Sequence, residues 1–286
     1  MAISYAVNSE YQFFWYYNAT SVVAAATAYY SLSARNQNPE GLFSLTKRLD
    51  IEPIPEAYGG IPVGDGKADA EPMQFFMEAH DQTNHADTLF LSMANQVSNM
   101  LEAGDYQYIK AQLYDGSSTH AYRKYVRFRG LSDHYVSKTL YKVIRGSLVF
   151  PATDPLWYLD SVSSDSVTVS GGTGSKVTTD GGVFQTRRVI VVITKTGASN
   201  PTDVNVVNVY GKGFTMAGSL ANVNDYWIID CYNGTVFKSV SGVLSNDIAN
   251  FSGSVMPISG TTDTITVTDG GTASFAVTLL WLPRVI

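Results

Sequence analysis

Residues 145–158, RGSLVFPATDPLWY, constrain the chain more than any other stretch. The apolar run Leu148-Val149-Phe150 reads as a strand that stops at Pro151, because proline has no amide hydrogen for a sheet ladder and restricts the residue before it. Asp154-Pro155 turns the backbone, and Trp157-Tyr158 follow as an aromatic anchor. Basic and aromatic residues then thin out, and a text rich in Ser, Thr, Val and Gly begins. A backbone break that coincides with a change of composition marks a seam between two domains, 1–155 and 156–286, each of ordinary domain size.

The 286 residues are 45% hydrophobic, enough to fill packed cores, and only 15% charged, against about a quarter in typical globular domains. A weakly charged polar surface suits a chain that covers much of itself with partners, or an extracellular or capsid-like β protein. The net charge of −6 gives the whole chain no reason to hold nucleic acid tightly. A single cysteine, Cys231, excludes an internal disulfide. No base stands near it, so it reads as a small buried side chain in a strand over Trp227–Tyr232 rather than as a catalytic thiol. No basic leader precedes the N-terminal apolar residues. Tyr, Asn, Thr and Ser interrupt Phe13–Tyr30 too often for a membrane span. The expectation is a protein made in the cytoplasm with neither signal peptide nor transmembrane segment.

In the first half, residues 1–50 favour strands with an irregular connection, since Tyr, Thr and Val outweigh an Ala-rich middle. Residues 53–72 carry four prolines and four glycines and read as a long loop without regular structure. The pairs Gly59-Gly60 and Gly64-Asp65-Gly66 within it lack the Gly-Lys-Ser/Thr and following helix that a phosphate loop requires. Met73–Ala79 reads as a strand. Over Asp87–Gly104 the spacing of Leu89, Met93, Val97 and Met100 or Leu101 predicts an amphipathic helix, capped by Asp87 or Thr88 and ended by Gly104. Strands are predicted over Tyr106–Tyr114, Ala121–Arg129 and Tyr141–Phe150, with Gly130–Asp133 closing the second. In that second strand Tyr122, Lys124, Val126 and Phe128 share a face. The first half is therefore expected to be α+β, an antiparallel sheet plus one long helix. The second half is expected to be all-β, because short Val/Thr/Ile runs alternate with Gly, Asn and Asp turns such as Asn233-Gly234 and Asp269-Gly270-Gly271, the pattern of a sandwich or jelly roll.

Candidate chemistry is thin. His80 and His85 lie near Asp81 and Asp87, but the spacing fits no zinc signature and no cysteine assists. No G-x-S-x-G elbow is present. Glutamate all but vanishes after Glu102, so an acid/base pair in the second half would have to be aspartates. The one charge anomaly is basic: Lys110, Arg123, Lys124, Arg127, Arg129, Lys138, Lys142 and Arg145 meet only Asp115 and Asp133, interleaved with Tyr114, Tyr122, Tyr125 and Tyr135. Three readings stand: nucleic-acid binding, a solvated face, and the preferred one, a subunit interface formed by Arg123, Lys124, Arg127 and Arg129 against acidic loops such as Asp65–Glu71 of a neighbour. Trp227 and Trp281, with Tyr226, Tyr232 and Phe275, would either stack on sugar rings or fill a sandwich core. The sequence calls for no cofactor and no metal.

This two-part text resembles the distal tail (Dit) proteins of long-tailed bacteriophages. The resemblance rests on Asp87–Gly104, the strand–turn–strand Tyr106–Arg129, Tyr141–Phe150 closing with Asp154-Pro155 and Trp157-Tyr158, then Val204–Tyr210, Asp225–Tyr232 with its Asn233-Gly234 turn, Met256-Pro257-Ile258 before Thr264–Thr268, and Ala273–Trp281. It covers most of residues 40–286 and is one of pattern rather than of a diagnostic motif. Residues 1–40 depart from it. It implies a belt domain followed by a galectin-like sandwich, and a non-enzymatic structural protein of a siphophage virion. The implied assembly is a hexameric ring at the tail tip joining the tail tube protein to the hub or tip protein of the baseplate. Receptor-binding or side-tail proteins would be held outside it for host attachment, host-surface glycans touched, and DNA met only in transit through the lumen. The alternative from the aromatics is a carbohydrate-binding module or adhesin.

Overall fold

The computed structural model describes residues 11–19, 23, 29–32, 45–47, 50–53, 60–63, 68–70, 72–80, 95, 106–114, 117–136, 143–179, 181–182, 185–254, 256–259 and 262–285. The chain divides into two compact units, one of Met1–Thr20 and Ala25–Trp157, the other of Ser21–Ala24 and Tyr158–Ile286.

In the N-terminal unit the strands are β1 (Tyr11–Ala19), β2 (Tyr29–Ser31), β3 (Leu45–Lys47), β4 (Asp50–Pro53), β5 (Gly60–Val63), β6 (Ala68–Ala70), β7 (Met73–His80), β8 (Tyr106–Tyr114), β9 (Thr119–Tyr125), β10 (Gly130–Val136) and β11 (Val143–Phe150). Strands β9, β8, β1 and β2 lie side by side in one antiparallel sheet, and β10, β11 and β7 in another. The pairing places Trp15, Ile109 and Lys124 opposite one another on one face of the first sheet, all buried. Tyr16, Tyr108 and Tyr125 line the other face, with Tyr16 stacked on Tyr108 at 5.0 Å. Trp15 packs on Phe128 and Phe150 at 5.6 Å each, and Phe150 meets Phe75 of β7 edge-on at 5.8 Å. Each such aromatic pair adds ~0.5–1.5 kcal/mol beyond its buried area.

That aromatic contact corrects the expected α+β class. The apolar face of the first sheet is covered by aromatics of a second sheet, and no long helix occurs among the described residues. Among the described residues the unit is nearly all β, Asn95 alone having helical backbone. Of the helix expected over Asp87–Gly104 only Asn95 lies among them, and the rest of that segment is outside the described residues. Two further expectations change. Residues 53–72 are not wholly irregular, because β4 pairs with β5 and β3 with β6. Pro53 and Pro62 are tolerated because each strand of a two-stranded ribbon keeps a free edge, where no amide hydrogen is required. Gly130–Asp133 does not end the second strand but opens β10. Gly130, at φ +141°, adopts a conformation that side chains disfavour, at the point where the chain bends from one sheet into the other.

That bend is held by specific bonds. The amides of Arg127 and Arg129 donate to the carbonyls of Pro151 and Val149, and Thr153 N donates to Tyr125 O. On the opposite side Val126 N donates to Gln107 O, and the next inward amide, Phe128 N, donates to the Gln107 side-chain Oε1 at 3.1 Å. One buried glutamine thus replaces the ladder partner that the departing strand loses.

The C-terminal unit is a sandwich. Its strands are β12 (Tyr158–Leu159), β13 (Ser163–Val169), β14 (Thr173–Thr179), β15 (Val189–Lys195), β16 (Thr202–Val207), β17 (Gly213–Ser219), β18 (Tyr226–Asp230), β19 (Thr235–Val240), β20 (Val243–Asn246), β21 (Phe251–Gly253), β22 (Thr262–Thr268) and β23 (Phe275–Trp281). One sheet runs β13-β23-β15-β18-β19-β20 and the other β14-β22-β16-β17-β21. Period-two alternation sends Val191 and Ile193, Val204 and Val206, Ile265 and Val267, and Phe275 through Trp281 at every second position into one core. The Thr residues of β22 take the other face. Removing one such side chain costs ~2–5 kcal/mol. Strand β15 lies inside its sheet, with Val189, Val191 and Ile193 buried in the core and Val192 and Thr194 half-buried on the other face. No helix among the described residues is long and apolar enough to cross a membrane.

Replacing Gln107 with Ala strands the Phe128 amide inside the protein. The expected loss is ~1–3 kcal/mol of unfolding free energy, measured by urea denaturation. An unchanged midpoint would remove the bend from the list of stabilising features.

Candidate functional site

The basic strand separates into two pairs. Arg123 and Lys124 sit in β9, where neighbouring strands flank them and both sheet faces are covered, and both are buried. The Arg123 guanidinium lies 4.3 Å over the Tyr108 ring, and the Lys124 ammonium lies 5.5 Å from the Trp157 ring. Burial lowers the Lys124 pKa to about 8, against an opposing pull from Asp154. Asp154 is itself buried and accepts from Leu156 N at 3.1 Å. Arg127 and Arg129 come after the strand has left its sheet, and both are exposed.

The candidate sugar-stacking residues lie in the sandwich core. Trp227 is buried, its Nε1 donates to Asp247 Oδ2 at 2.7 Å, and Lys238 Nζ stands 5.8 Å from its ring. Trp281 is buried with Nε1 meeting no acceptor among the described residues. Neither ring lies on the surface, where a stacking sugar would meet it.

Four aspartates of the C-terminal unit each accept two or more backbone amides. Asp225 accepts from the amides of Ser241 and Asn222 and from the Asn222 side chain, at 2.8–3.1 Å. Asp230 accepts from the amides of Tyr232 and Asn233. Asp263 takes Val209 N, Thr264 N and Ser259 N, and Asp269 takes Thr202 N, Gly271 N and Ala273 N. Asn208 does the same work with an amide, accepting from Tyr210 N and Lys212 N while donating to Pro257 O. At Asp225 the carboxyl is pushed below the ordinary range by the Ser241 amide first, then by the Asn222 amide. The sequence pointed to aspartates as the second half's acids but did not reveal this use, because the bonded amides stand as far as 67 positions away.

Cys231 is buried, and its thiol is pushed up to about 12, mainly by desolvation. A thiol so placed stays protonated and unreactive. No group of three or more metal-ligating side chains occurs among the described residues. His80 falls in β7, and His85, Asp81 and Asp87 lie outside the described residues.

Two pH experiments follow. The folded chain releases the Lys124 proton near pH 8, while the unfolded chain holds it to about 10.5. Stability from this group therefore rises between those values, by as much as ~3 kcal/mol. Urea titrations across that range are expected to show this rise in the parent protein and its loss in Lys124→Met. For Asp225 the folded pKa is depressed, so its contribution is present above the ordinary value of 3.8 and disappears as pH falls through the lower folded value. Asp225→Asn is expected to be less stable than the parent at pH 6, with the gap closing in acid. A gap independent of pH would contradict the assignment.

No protein-family model matches the chain, and no curated protein sequence matches it. Solved structures do. The SPP1 Dit (gp 19.1) protein, described as a paradigm of the hub adsorption apparatus in Gram-positive infecting phages, is similar with a TM-score of 0.58 and 12% identity, over 94% of this chain and 98% of that one. A chain of the phage P2 baseplate in its activated conformation with Ca gives 0.54 and 10%, over 94% and 97%. The same baseplate with Sr gives 0.51 and 11%, over 94% and 97%. The resemblance to distal tail proteins seen in the sequence is thus met by a shared fold that extends over both units.

Proposed function

We propose that this chain is a structural subunit of a phage tail tip, acting by assembly rather than by catalysis. The observation that carries the reading is the likeness to SPP1 Dit across 94% of this chain and 98% of the other. It spans an N-terminal two-sheet unit and a C-terminal sandwich in one polypeptide, where a shared sandwich alone would be common to many unrelated proteins. In this reading residues 1–155 form the belt of a ring, hexameric by analogy, that joins the tail tube to the distal hub and surrounds the DNA conduit. Residues 156–286 form a galectin-like sandwich that faces outward to receptor-binding or side-tail proteins. The virion is its place of action.

The chemistry of the side chains supports an assembly role. Asp225, Asp230, Asp263 and Asp269 of the sandwich serve the backbone, the thiol is buried, and only 15% of residues carry charge. The alternative reading, a carbohydrate-binding module or adhesin, finds no exposed indole: all four tryptophans of the chain are buried. For a subunit interface on the basic strand, the exposed side chains are Arg127 and Arg129, while Arg123 and Lys124 support the sheet from within.

Sedimentation velocity over a concentration series tests the proposal. The parent chain is expected to form a discrete oligomer. The double charge reversal Arg127→Glu with Arg129→Glu is expected to weaken it about tenfold or more, most clearly at low salt. A parent chain that stays monomeric at the highest concentration would defeat the ring reading. An oligomer indifferent to the reversal would move the interface elsewhere.

A further inference from the structure

Asn233-Gly234 is the only Asn-Gly pair in the sequence, and both residues are exposed in the turn between β18 and β19. Such a pair is chemically labile. The glycine amide nitrogen attacks the asparagine Cγ, a C–N bond forms, and ammonia leaves. Water then opens the five-membered imide to aspartate or isoaspartate. Glycine favours the attack because it has no Cβ to obstruct it.

We infer that Asp230 protects this site from deamidation. The attacking atom, Gly234 N, donates to the Asp230 carbonyl at 2.9 Å. The group that would leave, Asn233 Nδ2, donates to Asp230 Oδ2 at 2.8 Å. The Asn233 and Tyr232 amides both donate to Asp230 Oδ1, at 3.1 and 2.9 Å. Nucleophile and electrophile are each tied to the same residue, so ring closure requires both bonds to open together. The neighbouring residues restrain the loop further. Cys231 is buried, and the Tyr232 ring lies 4.0 Å beneath the Arg188 guanidinium. The conversion would also damage the turn. It would replace the donor facing Asp230 Oδ2 with a second carboxylate, and like charges at hydrogen-bond distance repel.

The test is peptide mapping of the full chain after prolonged incubation in warm, mildly alkaline buffer, reading the mass gained when amide becomes acid and the isoaspartate isomer. The folded parent is expected to convert at Asn233 at least about tenfold more slowly than the same chain in urea, each tenfold being ~1.4 kcal/mol of local opening. Folded Asp230→Ala keeps the Gly234 amide on the residue-230 carbonyl but loses the carboxylate contacts, and is expected to convert severalfold faster than the folded parent, still below the urea rate, with its circular dichroism unchanged. If that variant does not fold, hydrogen exchange decides on the parent: the Gly234 amide is expected to be strongly protected. Equal rates in folded and unfolded parent, a folded Asp230→Ala no faster than the parent, or an unprotected Gly234 amide would each overturn the inference.

Discussion

Backbone amides at the ends of strands must find acceptors, and in this protein side chains supply them. A chain built of short strands has many ends, and each leaves donors that the ladder does not satisfy. Gln107 meets that need where the strand beginning at Thr119 passes from one sheet to the other. Asp225, Asp230, Asp263, Asp269 and Asn208 meet it in the loops of the sandwich. The apolar cores supply the driving force, but these contacts fix where each strand stops and how its loop returns.

This use of carboxylates bears on function. No glutamate follows Glu102, so the sandwich has only aspartates for acid chemistry, and those described above are spent on amides. Buried cations are treated alike: Arg123 lies over Tyr108, and Arg188 over Tyr158 and Tyr232.

The sandwich was legible in the sequence because its rule is local. Alternation in TDTITVT over Thr262–Thr268 and FAVTLLW over Phe275–Trp281 states which side chains face inward. The break at Pro151 was legible for the same reason, since proline acts on its own neighbours. The cover of the N-terminal sheet was not legible, because the contact of Trp15 with Phe150 joins residues far apart in sequence. The short strands Gly60–Val63 and Ala68–Ala70 were missed because the prolines and glycines of 53–72 were read as breakers, although at a free edge proline breaks nothing. The burial of Arg123 and Lys124 was hidden too. Their ring partners, Tyr108 and Trp157, stand on other segments, and a run of charges reads as surface until those segments are placed. Trp227 and Trp281 were weighed as ligand platforms or core, and both are buried.

We propose that the two β units of this chain join copies into a ring. Electron microscopy of the purified protein at micromolar concentration tests it most directly. The account predicts closed annular particles of uniform subunit number. A field of separate small particles that never close on one another would contradict it.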